Sequence, residues 1–429
     1  LSGEDAHSFN VAIGGYSLYN QNAGADAYNT AVGYNTGFAI STGIQNTLIG
    51  GLAGDALTTG VSNVALGYAS LSTSVDGDNN TAIGYAALAV YEDGDGNGHN
   101  TAVGASSQAA ATTGEFNTSL GSLSMGTGVT TGDYNIALGY AAGSALTSGE
   151  RNVLIGANAG DAITTAEFCV AVGHGALSAE DTTGSTTAVG YKALNLQNAG
   201  AESYNVAVGF EAGKAVTTGV DNVIIGGQAG DAVTTGFDNV LIGKNAGGAM
   251  TIGNNNVAIG EGALATNVAA DRNVAIGEAS LASMTAASTL DTYNTAVGYR
   301  SGTAMTTGVQ NTIIGSLAGD ALTSGSYNTA LGYSSAGAMT IGLQNVAIGH
   351  GALSTSVDGD SNTAVGFDSL KVYEGADGAG GNTGIGKGAG VAVSTGANNT
   401  LLGHLAGDAL TTGDNNIIIG HTAAASAVG

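Results

Sequence analysis

Asn-x-Ala-Ile-Gly, or a close variant of it, recurs 24 times between Asn10 and Gly420, for the most part at intervals of 17 residues. A period that short reads as one coil of a solenoid, because no single copy can bury a hydrophobic face and stacked copies bury a continuous one. With the Asn as position 1, position 5 is Gly and position 4 is Val, Ile or Leu in all 24 copies. Position 1 is Asn in 22 of them, with Cys169 and Thr186 as the exceptions. Later in each coil comes a second apolar, strand-like piece and a turn, as in Ala56-Leu57-Thr58-Thr59-Gly60. The expectation is an all-β fold, a parallel β-solenoid of about 24 coils with an inward Ile column, roughly 115 Å long at about 4.8 Å per coil.

Composition agrees with a stacked core of small side chains. The 429 residues include 74 Gly, no Pro and no Trp, and 43% are hydrophobic, which is too apolar for a disordered chain. The intervals lengthen before Asn29, Asn100, Asn205, Asn294 and Asn382, and these insertions are expected to bulge outward while the core columns return in register. Residues 63–104 read like residues 345–386, so growth by copying blocks of coils is the simplest account. The expected organisation is a lead-in over 1–9, one continuous solenoid over 10–420 and an end segment over 421–429. Leu1 in place of Met predicts a processed or excised piece of a longer chain.

The charge balance narrows the partners. A net charge of −25 with eight Lys and Arg leaves no basic stripe for a phosphate backbone, so neither nucleic acid nor an anionic bilayer is expected as a partner. No stretch approaches the about 20 apolar residues of a membrane span, and membrane insertion is not expected. The single Cys169 excludes an intrachain disulfide framework and reads as a small buried residue.

The repeated residues have structural reasons. The Asn column, Asn29, Asn46 and Asn63 early and Asn222 and Asn239 later, can hydrogen-bond its amides to turn backbone and to the Asn above and below. Gly33, Gly50, Gly67, Gly226 and Gly243 fit a corner that needs positive φ or close backbone approach. Several strands are continuously apolar, as in Val153-Leu154-Ile155 and Ile417-Ile418-Ile419, and a strand apolar on both faces is usually buried on both. Position 6 is often a ring where position 3 is Ala, as at Tyr34, Tyr68, Tyr85, Tyr140, Tyr299 and Tyr333, and never Tyr or Phe where position 3 is Leu or Ile. Either these rings lie across the Ala of their own coil, or they line a subunit interface.

Taken together, this column resembles the head domains of trimeric autotransporter adhesins, and the phrase Thr-Thr-Gly-x-x-Asn-Thr-Ala-Val-Gly-Tyr is similar to repeats in bacteriophage tail-fibre proteins. The resemblance spans nearly the whole chain. It implies a left-handed parallel β-roll assembled as a homotrimer. The adhesin head repeat is shorter than 17 residues, a departure that bears on the corner geometry.

Hidden chemistry is sparse. Asp93, Asp95 and Asn97 alternate with Gly in a spacing that could wrap Ca²⁺, although Gly104 stands where a distal Glu ligand belongs. The alternative is a plain Gly-rich turn, and no other cofactor is expected. His174, His350, His404 and His421 share position 6, which reads as a variable surface or interface site, and His404 with His421 could approach a metal together. Asp55, Asp161, Asp231, Asp320 and Asp408 recur too regularly to be catalytic and read as solvated charges or turn acceptors. The chain is therefore expected to be no enzyme. The leading reading is an extracellular structural and adhesive fibre, on a cell surface or virion, that binds surface glycans. A self-assembling filament or surface-layer subunit is one alternative, and an ice-binding solenoid using Thr pairs such as Thr58-Thr59 is another.

Overall fold

The computed structural model describes residues 9–92, 97–182, 184–285, 290–375 and 378–423. Most of the lead-in, the segment after 423, and Asp93 and Asp95 of the proposed calcium loop lie outside the described residues. The protein is an all-β solenoid in two compact units, Leu1–Thr218 and Gly219–Gly429. Twelve strands run from Val11–Ile13 to Val206–Val208 in the first unit, and twelve from Val223–Ile225 to Ile417–Ile419 in the second. Among the described residues no helix is long and apolar enough to cross a membrane.

Each strand is three residues long, covers positions 2 to 4 and pairs in parallel with the next strand of its unit, like position on like position. Thr47, Leu48 and Ile49 face Val64, Ala65 and Leu66. The register survives the insertions: Thr81 faces Thr101 and Val274 faces Thr295. The second apolar piece of the coil is not a strand. Around Ala56 to Thr59 the chain turns and bends instead, so one sheet, not two, lines each unit.

Left-handed backbone conformations lie on either side of this piece. Positions 7, 9 and 17 have φ near +55° in coil after coil, with ordinary side chains such as Leu52, Leu71 and Ser62. Each flips a peptide so that it pairs along the stack: Leu52 N–H donates back to Tyr34, while Leu71 N–H donates forward to Ala87, each at 3.0 Å. A left-handed residue other than Gly costs about 1 kcal/mol or more, and the hydrogen bonds to both neighbouring coils hold it there. Position 5 lies further out, at φ +133° in Gly50 and +136° in Gly226, a region only Gly occupies readily. A Cβ at Gly50 would also run into the Gly67 carbonyl of the next coil.

Position 3, not the invariant aliphatic of position 4, forms the inward column: Ala31, Leu48, Ala65, Ile224 and Leu241 are fully buried. Positions 9 and 12 meet it across the coil, through Leu71, Leu88 and Leu177 at the former and Ile40, Leu57 and Ile163 at the latter. Volume is traded inside this core. Where position 3 is Leu48, Leu154, Ile224, Leu241, Ile313 or Leu401, position 9 is Gly54, Gly160, Gly230, Gly247, Gly319 or Gly407. A Cβ on Gly160 would lie 2.8 Å from Leu154 Cδ2, and one on Gly54 would lie 3.1 Å from Leu48 Cδ2. Conversely, Ala65, Ala82 and Ala171 face Leu71, Leu88 and Leu177. The close packing of interiors requires that exchange.

Candidate functional site

The Asn column runs along the inside corner as a ladder of side-chain amides. Asn46 donates through Nδ2 to Asn29 Oδ1 at 3.2 Å and to the Gly60 carbonyl at 2.8 Å, and its backbone N–H also reaches Asn29 Oδ1, at 2.8 Å. Asn63 repeats the pattern on Asn46 and Gly77, and Asn239 on Asn222 and Gly253. Asn29 donates to Gln21 Oε1 and the Gly43 carbonyl, and Asn222 to the carbonyls of Val220 and Gly236. All of these side chains are buried, so each rung satisfies backbone that no water reaches.

The ladder breaks at Cys169 and Thr186, and position 12 compensates. Glu180 and Gln197 occupy it in those two coils, both buried. Gln197 Nε2 reaches Glu180 Oε2, Thr186 Oγ1 and Ser203 Oγ at 2.7 to 3.0 Å, and its Oε1 accepts from Asn205. An open cleft of about 250 Å³ beside this stretch is lined by Thr165, Glu167, Thr182, Gly184 and Glu202. Cys169 is buried, and burial, with Glu180 and Glu202 adding to it, pushes its thiol up to about 12.

The outer face of the sheet is where the sequence reading is corrected. Positions 2 and 4 point away from the core, and across all 24 coils they hold only Thr, Val, Ile and Leu. Ile49 is 38% exposed, Leu66 43% and Leu120 52%. The result is a two-row stripe of aliphatic and Thr side chains with no charged residue in it. Tyr34, Tyr68, Tyr85, Tyr140, Tyr299 and Tyr333, at position 6, are also exposed. They stand outside while the Ala of position 3 is inside, so the rings do not lie across their own Ala. The pairing of large with small that looked like a relation between positions 3 and 6 acts inside the coil between positions 3 and 9.

Two ring columns border the stripe. In the position 6 column Tyr68 stacks on Tyr85 at 5.9 Å, and a longer run goes from Tyr333 through His350 to Phe367 at 5.3 and 5.0 Å. Lys387 lies over Phe367, and His404 stacks on His421 at 5.0 Å. Imidazoles stacked face to face at that distance do not converge on one metal ion, whose nitrogens would each lie about 2.1 Å away. The second column is the residue just before the next Asn, position 17 of an ordinary coil, and is not among the sequence expectations. His99, Phe116 and Tyr134 stack at 5.0 and 5.2 Å with planes 5° apart, and Arg151 then bridges Tyr134 and Phe168. The signal was present as a ring immediately before the Asn of many coils, as at Tyr28, Tyr204, Tyr293 and Tyr327.

Polar residues on the remaining faces serve the backbone. Asp78, Asp133, Asp360 and Asp414 each take a backbone N–H of the preceding coil, from Val61, Glu115, Leu343 and Ala397, at 2.6 to 2.8 Å. The Thr pairs turn one hydroxyl inward: Thr58 and Thr234 donate to carbonyls of the next coil at 3.1 and 3.0 Å. Burial raises the carboxyls of Asp55 and Asp320 above the usual range, so these two are half-buried rather than free surface charges. Among the described residues no group of three or more His, Cys, Asp and Glu is placed to hold a metal ion. The chain matches no protein-family model, no curated protein and no solved structure.

Proposed function

We propose that this protein is a structural and adhesive element that assembles with copies of itself through the outer face of its sheet, as the shaft or head of an extracellular fibre on a cell or virion. The observation that carries the reading is the charge-free stripe of positions 2 and 4. In a chain of net charge −25 two copies repel each other, and this is a face on which they can meet without opposing carboxylates. The three residues of each strand span about 10 Å, and twelve strands at about 4.8 Å give about 550 Å² per unit. That is at the upper end of the largest apolar patch of a monomer, and the sum over the two units, about 1,100 Å², suffices for a specific interface of about 800 Å² per partner. A trimer, as the resemblance implies, is the favoured assembly.

Adhesion to glycans is the second part of the proposal. In the stacked runs the ring faces are occupied by neighbouring rings. Tyr140 and Tyr299 instead have Ser122, Ala157, Glu278 and Ser316 beside them in the column, so a sugar ring can lie on their faces. The test is a pair of charges in the stripe. Leu66→Asp with Ile83→Asp, both outward, leaves the core intact, and sedimentation should turn the assembly into single chains. Unchanged sedimentation of that variant would remove the sheet face from the interface. Loss of glycan-array binding in Tyr140→Ala with Tyr299→Ala checks the adhesive part separately.

A further inference from the structure

The two columns that border the stripe carry complementary charges. In the unit Gly219–Gly429, Asp238 precedes and Lys244 follows the strand Val240–Ile242, and Arg272 precedes and Glu278 follows Val274–Ile276. These are the two strands of the unit with a Lys, Arg, Asp or Glu in both bordering columns, and in both the signs are opposite. All four side chains are exposed. Within one chain the strand holds the members of each pair apart. Lys244 instead meets Glu261 of the next coil at 3.2 Å, and Arg272 meets Asp291. Both contacts are exposed, where an ion pair contributes little and leaves the cation accessible. Among the described residues Asp238 and Glu278 have no ion pair.

Opposite signs at the two ends of one strand matter when copies pack around an axis parallel to the stack with their outer sheet faces turned inward. The end of each strand then comes to the start of the equivalent strand in the next copy, so the position 6 column meets the column before the Asn, level on level. Unshifted, that sets Asp238 beside the partner's Lys244 and Arg272 beside the partner's Glu278. A shift of one coil one way pairs Asp221 with the partner's Lys244 but sets Asp238 against the partner's Glu261; the other way it keeps a single pair, Arg272 with the partner's Glu261. Shifts of two coils set Asp238 against the partner's Glu278, or Arg272 against the partner's Lys244. A reversed copy meets its own columns, and the alignment that pairs Lys244 with the partner's Glu278 puts Glu261 on the partner's Glu261.

We infer that the copies run parallel and unshifted, and that Asp238–Lys244 and Arg272–Glu278 pairs between neighbouring copies fix that alignment. The inference rests on assembly through the sheet face. The charge-free stripe supplies area but no register, because like positions repeat at every coil and a slip by one coil sets aliphatic or Thr side chains on aliphatic or Thr side chains again. Charges at the rim select among such alignments by penalising the wrong ones. Zero shift is also the alignment that closes a rotational assembly, whereas a shifted one continues as an open helix.

Cross-linking of the whole chain with a short bismaleimide at micromolar concentration tests it, read as the denatured mass. Asp238→Cys with Lys244→Cys should give covalent oligomers, and so should Arg272→Cys with Glu278→Cys, while each single replacement should not. Cys169 is buried, so the unreplaced chain is the blank. A second measurement uses charge alone. Asp238→Lys lowers the net charge, so general repulsion would make association stronger; loss of the pair should instead weaken it several-fold at low salt, and adding Lys244→Asp should restore it. Cross-linking through Glu261→Cys alone would reveal a reversed copy, and faster cross-linking of Asp238→Cys with Glu261→Cys than with Lys244→Cys a shifted one. Either result, a charge swap that does not restore association, or no cross-links in double variants that still sediment as assemblies overturns the alignment and leaves the sheet face as the interface. Sedimentation of the unreplaced protein as single chains removes the sheet-face assembly itself, and the alignment with it.

Discussion

Asn63 shows how much one side chain carries in this fold. It donates to Asn46 Oδ1 and to the Gly77 carbonyl, and its Oδ1 accepts the Asn80 N–H at 2.9 Å, all out of water. Asn63→Ala leaves the Gly77 carbonyl and the Asn80 N–H without these partners, a loss of about 3 kcal/mol at the usual cost of buried orphan groups. The expected result is faster amide exchange at Asn80 and a lower urea midpoint. Asp55 acts in the opposite sense. Its carboxyl is raised in the folded chain, so its contribution to stability is full below the ordinary carboxylate range and is lost as the pH rises through the raised value. Asp55→Asn should therefore raise the melting temperature at pH 7 and leave it nearly unchanged at pH 3; a drop at pH 7 would contradict the assignment. Cys169 gives a third check. With its thiol pushed up to about 12 and buried, it should resist a thiol reagent at pH 8 until the chain is unfolded.

At the scale of the coil, the exchange of volume between positions 3 and 9 is testable by a double-mutant cycle. Leu48→Ala alone opens a cavity costing about 2–4 kcal/mol, and Gly54→Leu alone crowds Leu48. Together they recreate the pair seen at Ala65 and Leu71, so the double variant should recover most of the lost stability, with a coupling of about 1–3 kcal/mol. This element also marks the limit of what was legible. The coil, its Asn and its Gly corner could be read from period and residue type, because each answers a local demand: a buried amide rung and a φ near +133°. Which way position 4 points could not. The alternation that tells inside from outside needs one polar face, and here both faces are apolar, with the inner one often the smaller, as where Ala65 leaves room for Leu71. The second apolar piece read as a strand because Leu57 and its equivalents are buried and apolar, yet the chain turns and bends there between the left-handed residues of positions 9 and 17. The compensation of Cys169 and Thr186 by Glu180 and Gln197 was hidden for a related reason. Those residues meet across the coil, eleven positions apart in sequence.

For the whole molecule, the consequence of outward aliphatics is that the stripe of positions 2 and 4 should be covered by another copy. Salt separates this account from one in which charged contacts hold the copies together. Raising the ionic strength screens the repulsion between chains of net charge −25 and leaves an apolar interface intact, so association should strengthen. The most direct measurement is the solution mass by light scattering coupled to size exclusion, at micromolar concentration and at two salt concentrations. The account predicts a discrete multiple of 41.3 kDa, three for the favoured trimer, that persists or grows more complete at high salt. A mass of 41.3 kDa under both conditions would mean that the stripe faces water in the native protein, and would contradict the account.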